Sequence, residues 1–194
     1  MNKHVESTNY KNKKKIKIEI KVVDYPSKEF DKYQKDLTKL YHEVFGKIEK
    51  KVDPEMKPFD KSQVIIGFYK KTIVGYMVVM EAMVIFYDYL NEIGIRYYTI
   101  NDAVKEFVAS GGLPKKKNGY GIIGFGTERK KYRKVGTQIM NYFLKHFHNN
   151  VDYSFLHTTL DNYPAIEFYE RVGFKIVSEY DQKKEKFNVM RIVN

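Results

Sequence analysis

The stretch IKIEIKVVDY (16–25) alternates apolar and charged residues, the period-two signature of a strand with one buried face. In SKEFDKYQKDLTKLYHEVFGK the period changes. Phe30, Tyr33, Leu37, Leu40 and Val44 recur at helical spacing, with Ser27 as N-cap and Gly46 as stop. A Pro-containing loop, KVDPEMKPFDKS, follows. QVIIGFYKKTIVGYMVVMEA then reads as two strands joined around Lys70–Lys71.

The pattern is less regular from Met83 to Tyr120. VIFYDYLNEIGIRYYTI is aromatic and apolar, NDAVKEFVAS reads as a short helix capped by Asn101, and GGLPKKKNG is a turn-rich loop. YGIIGFGT (120–127) is a glycine-containing strand. After RKVGTQIM comes a helix with Met140, Phe143, Leu144 and Phe147 on one stripe. VDYSFLHTTL is a strand, NYPAIEFYERVGF a short helix ending at Gly173, and KIVSEY with KFNVMRIV a closing hairpin. The order of elements predicts an α/β (α+β) fold, a mixed sheet with helices on both faces. We expect a flexible basic tail over 1–15, a single domain over 16–194, and an insertion-like segment at about 83–120.

Composition narrows the chemistry. The chain has 194 residues with neither Cys nor Trp, which excludes disulfides, thiolate metal sites and a Cys nucleophile. The five His form no recognisable metal spacing, so no metal is expected. No apolar run approaches the ~20 residues needed to span a bilayer. The N-terminal MNKHVESTNYKNKKK lacks an apolar secretory region. The expectation is a cytoplasmic protein without a membrane partner. A formal net charge of +11 favours acidic partners. A bias towards Lys, Asn, Ile and Tyr, as AT-rich coding produces, accounts for the same charge.

One stretch joins charge to structure. ERKKYRKVGT sets Arg129, Lys130, Lys131, Arg133 and Lys134 before or within the turn that opens a helix. Such a turn leaves backbone N–H groups without partners and carries partial positive charge. A glycine there admits close approach, and together these suit a phosphate. A plain turn beside a solvated basic face is the alternative.

A second stretch, LDNYPAIEFYERVGFKI (160–176), supplies Asn162, Ala165, Phe168, Tyr169, Gly173 and Phe174. With YRKVGTQIM some thirty residues upstream, the pair resembles the GNAT superfamily of acyl-CoA-dependent N-acyltransferases. The second stretch is similar to that family's Asn-x-x-Ala-x-x-Phe-Tyr-x-x-x-Gly-Phe segment. The first is similar to its Gln/Arg-x-x-Gly-x-Gly/Ala signature through Arg133 and Gly136. Gln138 stands where the family usually has a small residue, and Lys134 where it often has glycine. Residues 83–120 depart from the family, which joins these strands by a shorter turn.

The resemblance implies a mostly antiparallel sheet whose two central parallel strands splay apart to admit acetyl-CoA as co-substrate. The strand ending at Thr127–Glu128 would hold the pantetheine arm. Backbone N–H groups from Arg133 through Lys134, Val135, Gly136 and Thr137 to Gln138 would hold the diphosphate. Gln138 would crowd the phosphates, turn outward, or donate its amide to them. Asn162 would lie near the pantetheine, or serve only as an N-cap. Tyr169 would protonate the leaving thiolate, or pack a helix face. A base or a water must take a proton from the amine, whose ordinary pKa is about 10.4. Glu128 is the candidate, Glu81 its rival, and His157 a possible relay.

The implied activity is direct transfer of an acetyl group to a primary amine of a small molecule or a protein. The alternative is a catalytically inactive acyl-CoA-binding or nucleic-acid-binding module on the same fold. Nucleic acid is not the expected partner, because the aromatics fall on core faces and the cations are spread along the chain. Tyr87, Tyr89, Tyr97 and Tyr98 would line an acceptor pocket or a homodimer contact, unless they belong to a buried extra helix and strand.

Overall fold

The computed structural model describes residues 13–46, 55–82, 118–182 and 185–194. The expected helix at Asn101, the four tyrosines of the 83–120 segment and residues 1–12 of the tail lie outside them. Two sheets form among the described residues. The small one pairs β1 (Lys14–Lys15) with β6 (Tyr132–Arg133) in parallel. The large one has seven strands in the order β2-β3-β4-β5-β7-β9-β8. These are β2 (Glu19–Tyr25), β3 (Ser62–Tyr69), β4 (Thr72–Glu81), β5 (Gly119–Thr127), β7 (Tyr153–Thr159), β8 (Lys175–Gln182) and β9 (Glu185–Val193). Every neighbouring pair in it is antiparallel except β5–β7, which is parallel. This is the expected mixed, mostly antiparallel α+β architecture.

Helix α1 (Lys28–Phe45) begins where the sequence indicates. The Phe30 amide donates to Ser27 Oγ at 3.1 Å, and Glu29 and Asp31 in the first turn suit the positive end of the helix. Its stripe buries Phe30, Leu37 and Leu40 against Val64, Ile66, Tyr76 and Val78, on one face of the large sheet. Helices α2 (Val135–His146) and α3 (Tyr163–Arg171) bury Ile139, Met140, Phe143, Ala165 and Ile166 with Ile65, Met77 and Val79, which point to the other face. Alternation along β3 from Val64 to Ile66 and along β4 from Tyr76 to Val79 feeds both cores at once.

Two readings need correction. The strand expected over 16–25 begins at Glu19. Residues 13–18 form a separate arm whose Lys14 and Lys15 pair with Tyr132 and Arg133, so residues 13–15 of the predicted flexible tail are structured. The closing strands pair as the expected hairpin, with β9 lying between β7 and β8 and β8 at the edge.

Candidate active site

The parallel pair is the key to the site. β5 and β7 are in register only from Gly119↔Tyr153 to Ile122↔Leu156. Beyond Ile122, β5 continues alone on that side while still pairing with β4 through Thr127↔Gly75. The β4–β5 register shifts at Val78/Val79, so that Ile123 is passed over between Ile122 and Gly124. A bulge of this kind bends a strand and releases it from a neighbour. The two strands therefore splay, and one edge of β5 from Ile123 onward is left without a strand partner in the sheet.

A cavity of about 310 Å³ occupies the splay, lined by Ile123, Gly124 and Phe125 of β5 and by Leu156, His157 and Thr158 of β7. Its far wall comes from the C-terminal end of α1, with Leu40, Glu43, Val44 and Phe45, and from Asn162, Ala165, Phe168 and Tyr169. A second cavity of about 400 Å³ lies against the first turn of α2. The two share Phe125, Thr127, Arg129 and Phe168, and so make one cleft. Lys13, Arg129, Arg133, Lys134 and Arg171 line the second cavity, with Glu167 as its one acid.

The turn that opens α2 has the form an anion requires. Its N-cap, Lys134, adopts left-handed backbone angles (φ 65°, ψ 12°) and no side chain caps the helix. The N–H groups of Lys134, Val135, Gly136 and Thr137 thus precede the first intrahelical bond. A Cβ on Gly136 would lie 3.3 Å from Phe125 Cζ and 3.6 Å from Thr127 Cγ2, both of which line the cleft. The glycine lets this turn seat tightly against the end of β5 without pushing Phe125 into the cavity. The residues thus fit the diphosphate and arm of a coenzyme thioester: an unpaired strand edge, apolar walls, bare amides and five cations.

Gln138 behaves otherwise than a phosphate ligand. Its own amide is spent on Lys134 O at 3.1 Å, the first bond of the helix. Its side chain accepts from the Ile18 amide at 3.1 Å and donates to Ile16 O at 2.9 Å and Lys134 O at 3.1 Å. Neither group is left for a phosphate. The long side chain is tolerated because it turns away from the cleft towards the arm.

Tyr169 sits near the junction of the two cavities, 9% exposed, with its ring among Phe125, Phe168 and Phe174. Burial pushes its phenol up to about 12, partly offset by the Arg129 guanidinium. It is a proton-bearing group at any physiological pH, and no described residue hydrogen-bonds its hydroxyl. Asn162 stands at the N-cap of α3 without a side-chain capping bond, so capping does not occupy its amide.

The rival bases separate cleanly. Glu128 lies at the end of β5 in the cleft wall, where one carboxylate oxygen accepts the Lys130 amide at 2.8 Å. Glu81 pairs with Tyr120 at the opposite end of β5, six residues along β4 from the Gly75 that faces Thr127. At 3.4 Å per residue that is about 20 Å away. Consistently, Tyr120 is raised first by burial and then by the Glu81 charge. His157 does line the cleft, but desolvation lowers it to about 4, which makes it a weak base. Among the cleft residues that no motif marks are Lys13, Phe125 and Arg171. Alternation along β5 puts Phe125 on the face of Thr127, a signal that was available; Lys13 and Arg171 carried none.

A family model described as the acetyltransferase (GNAT) family matches residues 30–174. No curated protein matches the chain in sequence. The PaiA N-acetyltransferase of Thermoplasma acidophilum, solved in complex with coenzyme A, is 10% identical over 92% of this chain and 100% of its own, with a TM-score of 0.55. Arabidopsis thaliana Naa50, solved with the bisubstrate analogue CoA-Ac-MVNAL, is 15% identical over 90% of this chain and 99% of its own, with a TM-score of 0.53. The ribosomal-protein-S18-alanine N-acetyltransferase of Escherichia coli is 7% identical over 90% of this chain and 94% of its own, with a TM-score of 0.54. At these identities the likeness is one of fold.

Proposed function

We propose that this chain, which belongs to the acetyltransferase (GNAT) family, transfers an acetyl group from acetyl-CoA to a primary amine by direct attack. The observation that carries the reading is the cleft through the β5–β7 splay, with a strand edge free of strand pairing at one end and a bare helix N-terminus at the other. Acetyl-CoA supplies the activated acyl group as a thioester. Everything else falls to the chain's own residues.

The amides of Lys134 to Thr137, with the Arg133 and Lys134 side chains, bind the diphosphate through charge-assisted hydrogen bonds. The open edge of β5 up to Thr127 orients the pantetheine amides as an added strand would. Asn162, at the cavity wall, holds the arm from the other side. This positioning brings the acceptor nitrogen, entering past the end of α1, within reach of the thioester carbonyl. As the C–N bond forms, the amine loses a proton to Glu128 or to a water that Glu128 orients. As the C–S bond breaks, the Tyr169 hydroxyl donates a hydrogen bond to the sulfur. A phenol at about 12 arrives protonated on every cycle. Its basicity exceeds that of an ordinary thiolate, so its main contribution is a hydrogen bond to charge developing in the transition state.

The acceptor is a primary amine of a small molecule or a protein. Solved structures with a similar fold include one named for a ribosomal-protein alanine and another captured with the bisubstrate analogue CoA-Ac-MVNAL. These favour testing peptide N-termini beside small amines. The experiment is release of free thiol from acetyl-CoA across a panel of polyamines, aminosugar phosphates and short peptides. Amine-dependent release supports the reading, whereas coenzyme binding without release by any amine would leave a binding module.

A further inference from the structure

Residues 13–18 are held against the turn at the start of α2 by three independent means. Lys14 and Lys15 pair in parallel with Tyr132 and Arg133, and the Lys14 amide donates to Lys131 O at 3.3 Å. Ile16 and Ile18 are 6% and 8% exposed and pack in the core with Val135 and Ile139, the first and fifth residues of α2. Gln138 then spans the seam. Its amide nitrogen and oxygen together bond Ile16 O, Ile18 N and the carbonyl of Lys134, the residue whose left-handed conformation starts the helix. A glycine or alanine at 138 would reach none of these. The arm ends at Lys13, half-buried, in the wall of the 400 Å³ cavity beside Arg133, Lys134 and Gly136.

We propose that the 13–18 arm is a wall of the coenzyme's phosphate site, with Gln138 the positioning residue that latches it to α2 and Lys13 the phosphate ligand it delivers. This rests on the coenzyme reading above. It accounts for the long side chain at 138: the small residue that would keep the turn open is replaced by one that folds away from the cleft and recruits a cation from 120 or more positions earlier in the chain. An ammonium donor close to a phosphate makes charge-assisted bonds worth roughly tenfold or more in affinity.

The test is calorimetric titration of coenzyme A into the full chain and into Lys13→Ala, Lys13→Arg, Gln138→Ala and the Lys13→Ala/Gln138→Ala double variant. Both alanine variants are expected to bind about tenfold more weakly, with Lys13→Arg within about threefold of the wild type. Because Gln138 acts through Lys13, the double variant loses no more than the weaker single one. Hydrogen exchange at the Ile18 amide quickens in Gln138→Ala and stays as in wild type in Lys13→Ala. Additive losses in the double variant would make Gln138 a purely structural residue and overturn the latch. Wild-type affinity in Lys13→Ala, which leaves the core untouched, would overturn the phosphate role. If the wild type itself binds no coenzyme A, the coenzyme reading falls and takes this one with it.

Discussion

Replacing Tyr169 with Phe removes one oxygen and leaves the ring. The aromatic contacts to Phe168 at 5.5 Å, Phe174 at 6.0 Å and Phe125 at 6.5 Å between centroids persist. No described residue loses a hydrogen bond, so stability should change by less than about 1 kcal/mol. The proposed phosphate cradle lies elsewhere, so coenzyme A affinity by calorimetry should stay within about threefold. The chemical step does change. A positioned proton donor contributes typically 10²–10⁴-fold. We expect kcat for thiol release, at saturating acetyl-CoA and amine, to fall about a hundredfold, which is about 2.7 kcal/mol of barrier. Burial holds the phenol at about 12, so wild-type activity shows no falling limb from this group below about pH 11. Turnover of the Phe variant within threefold of wild type would remove Tyr169 from the chemistry and leave it a packing residue.

Three further outcomes are expected. Gly136→Asp sets its Cβ 3.3 Å from Phe125 and a carboxylate beside the phosphates, where like charges about 4 Å apart repel by about 4 kcal/mol; calorimetry should show coenzyme A affinity reduced at least about a hundredfold. Lys134→Gly relieves a left-handed backbone that costs an L-residue about 1–2 kcal/mol, offset in part by the freedom glycine gains when unfolded; urea unfolding should show a gain of about 0.5–1 kcal/mol, while coenzyme A binds several-fold more weakly for want of the cation. His157 falls to about 4 when folded against about 6.5 unfolded, so the unfolded chain takes up the proton first as pH drops. Stability is thus unaffected above about pH 6.5 and declines towards pH 4. The loss at pH 5 should be about 2 kcal/mol relative to pH 7, with His148, lowered by burial, adding in the same direction, and His157→Gln should abolish most of the 2 kcal/mol.

Local chemistry made the first helix legible. Ser27, its following acids and the Phe30–Leu37–Leu40 stripe act within a few residues of one another, so nothing distant can override them. The same holds for Lys70–Lys71, which take positive φ in the two-residue turn between β3 and β4. The arm was not legible, because its partners stand more than a hundred positions away. A strand of two lysines has no apolar alternation to announce it, and its pairing with Tyr132–Arg133 follows from Ile16 and Ile18 being drawn into the core. Glu81 and Glu128 look equivalent in sequence, each at a strand end. Only the antiparallel β4–β5 register puts them at opposite ends of the sheet. Gln138 was visible as an anomaly, but its direction depends on the arm, and so its part in the site waited on the fold.

The central claim is that the first turn of α2 and the open edge of β5 together hold an acyl-CoA. A crystal structure of the chain with coenzyme A bound tests it most directly. The account predicts diphosphate oxygens within hydrogen-bonding distance of the Val135, Gly136 and Thr137 amides, and pantetheine amides paired with β5 between Ile123 and Thr127. Density for the coenzyme at any other surface, with that turn and that strand edge left bare, would contradict it.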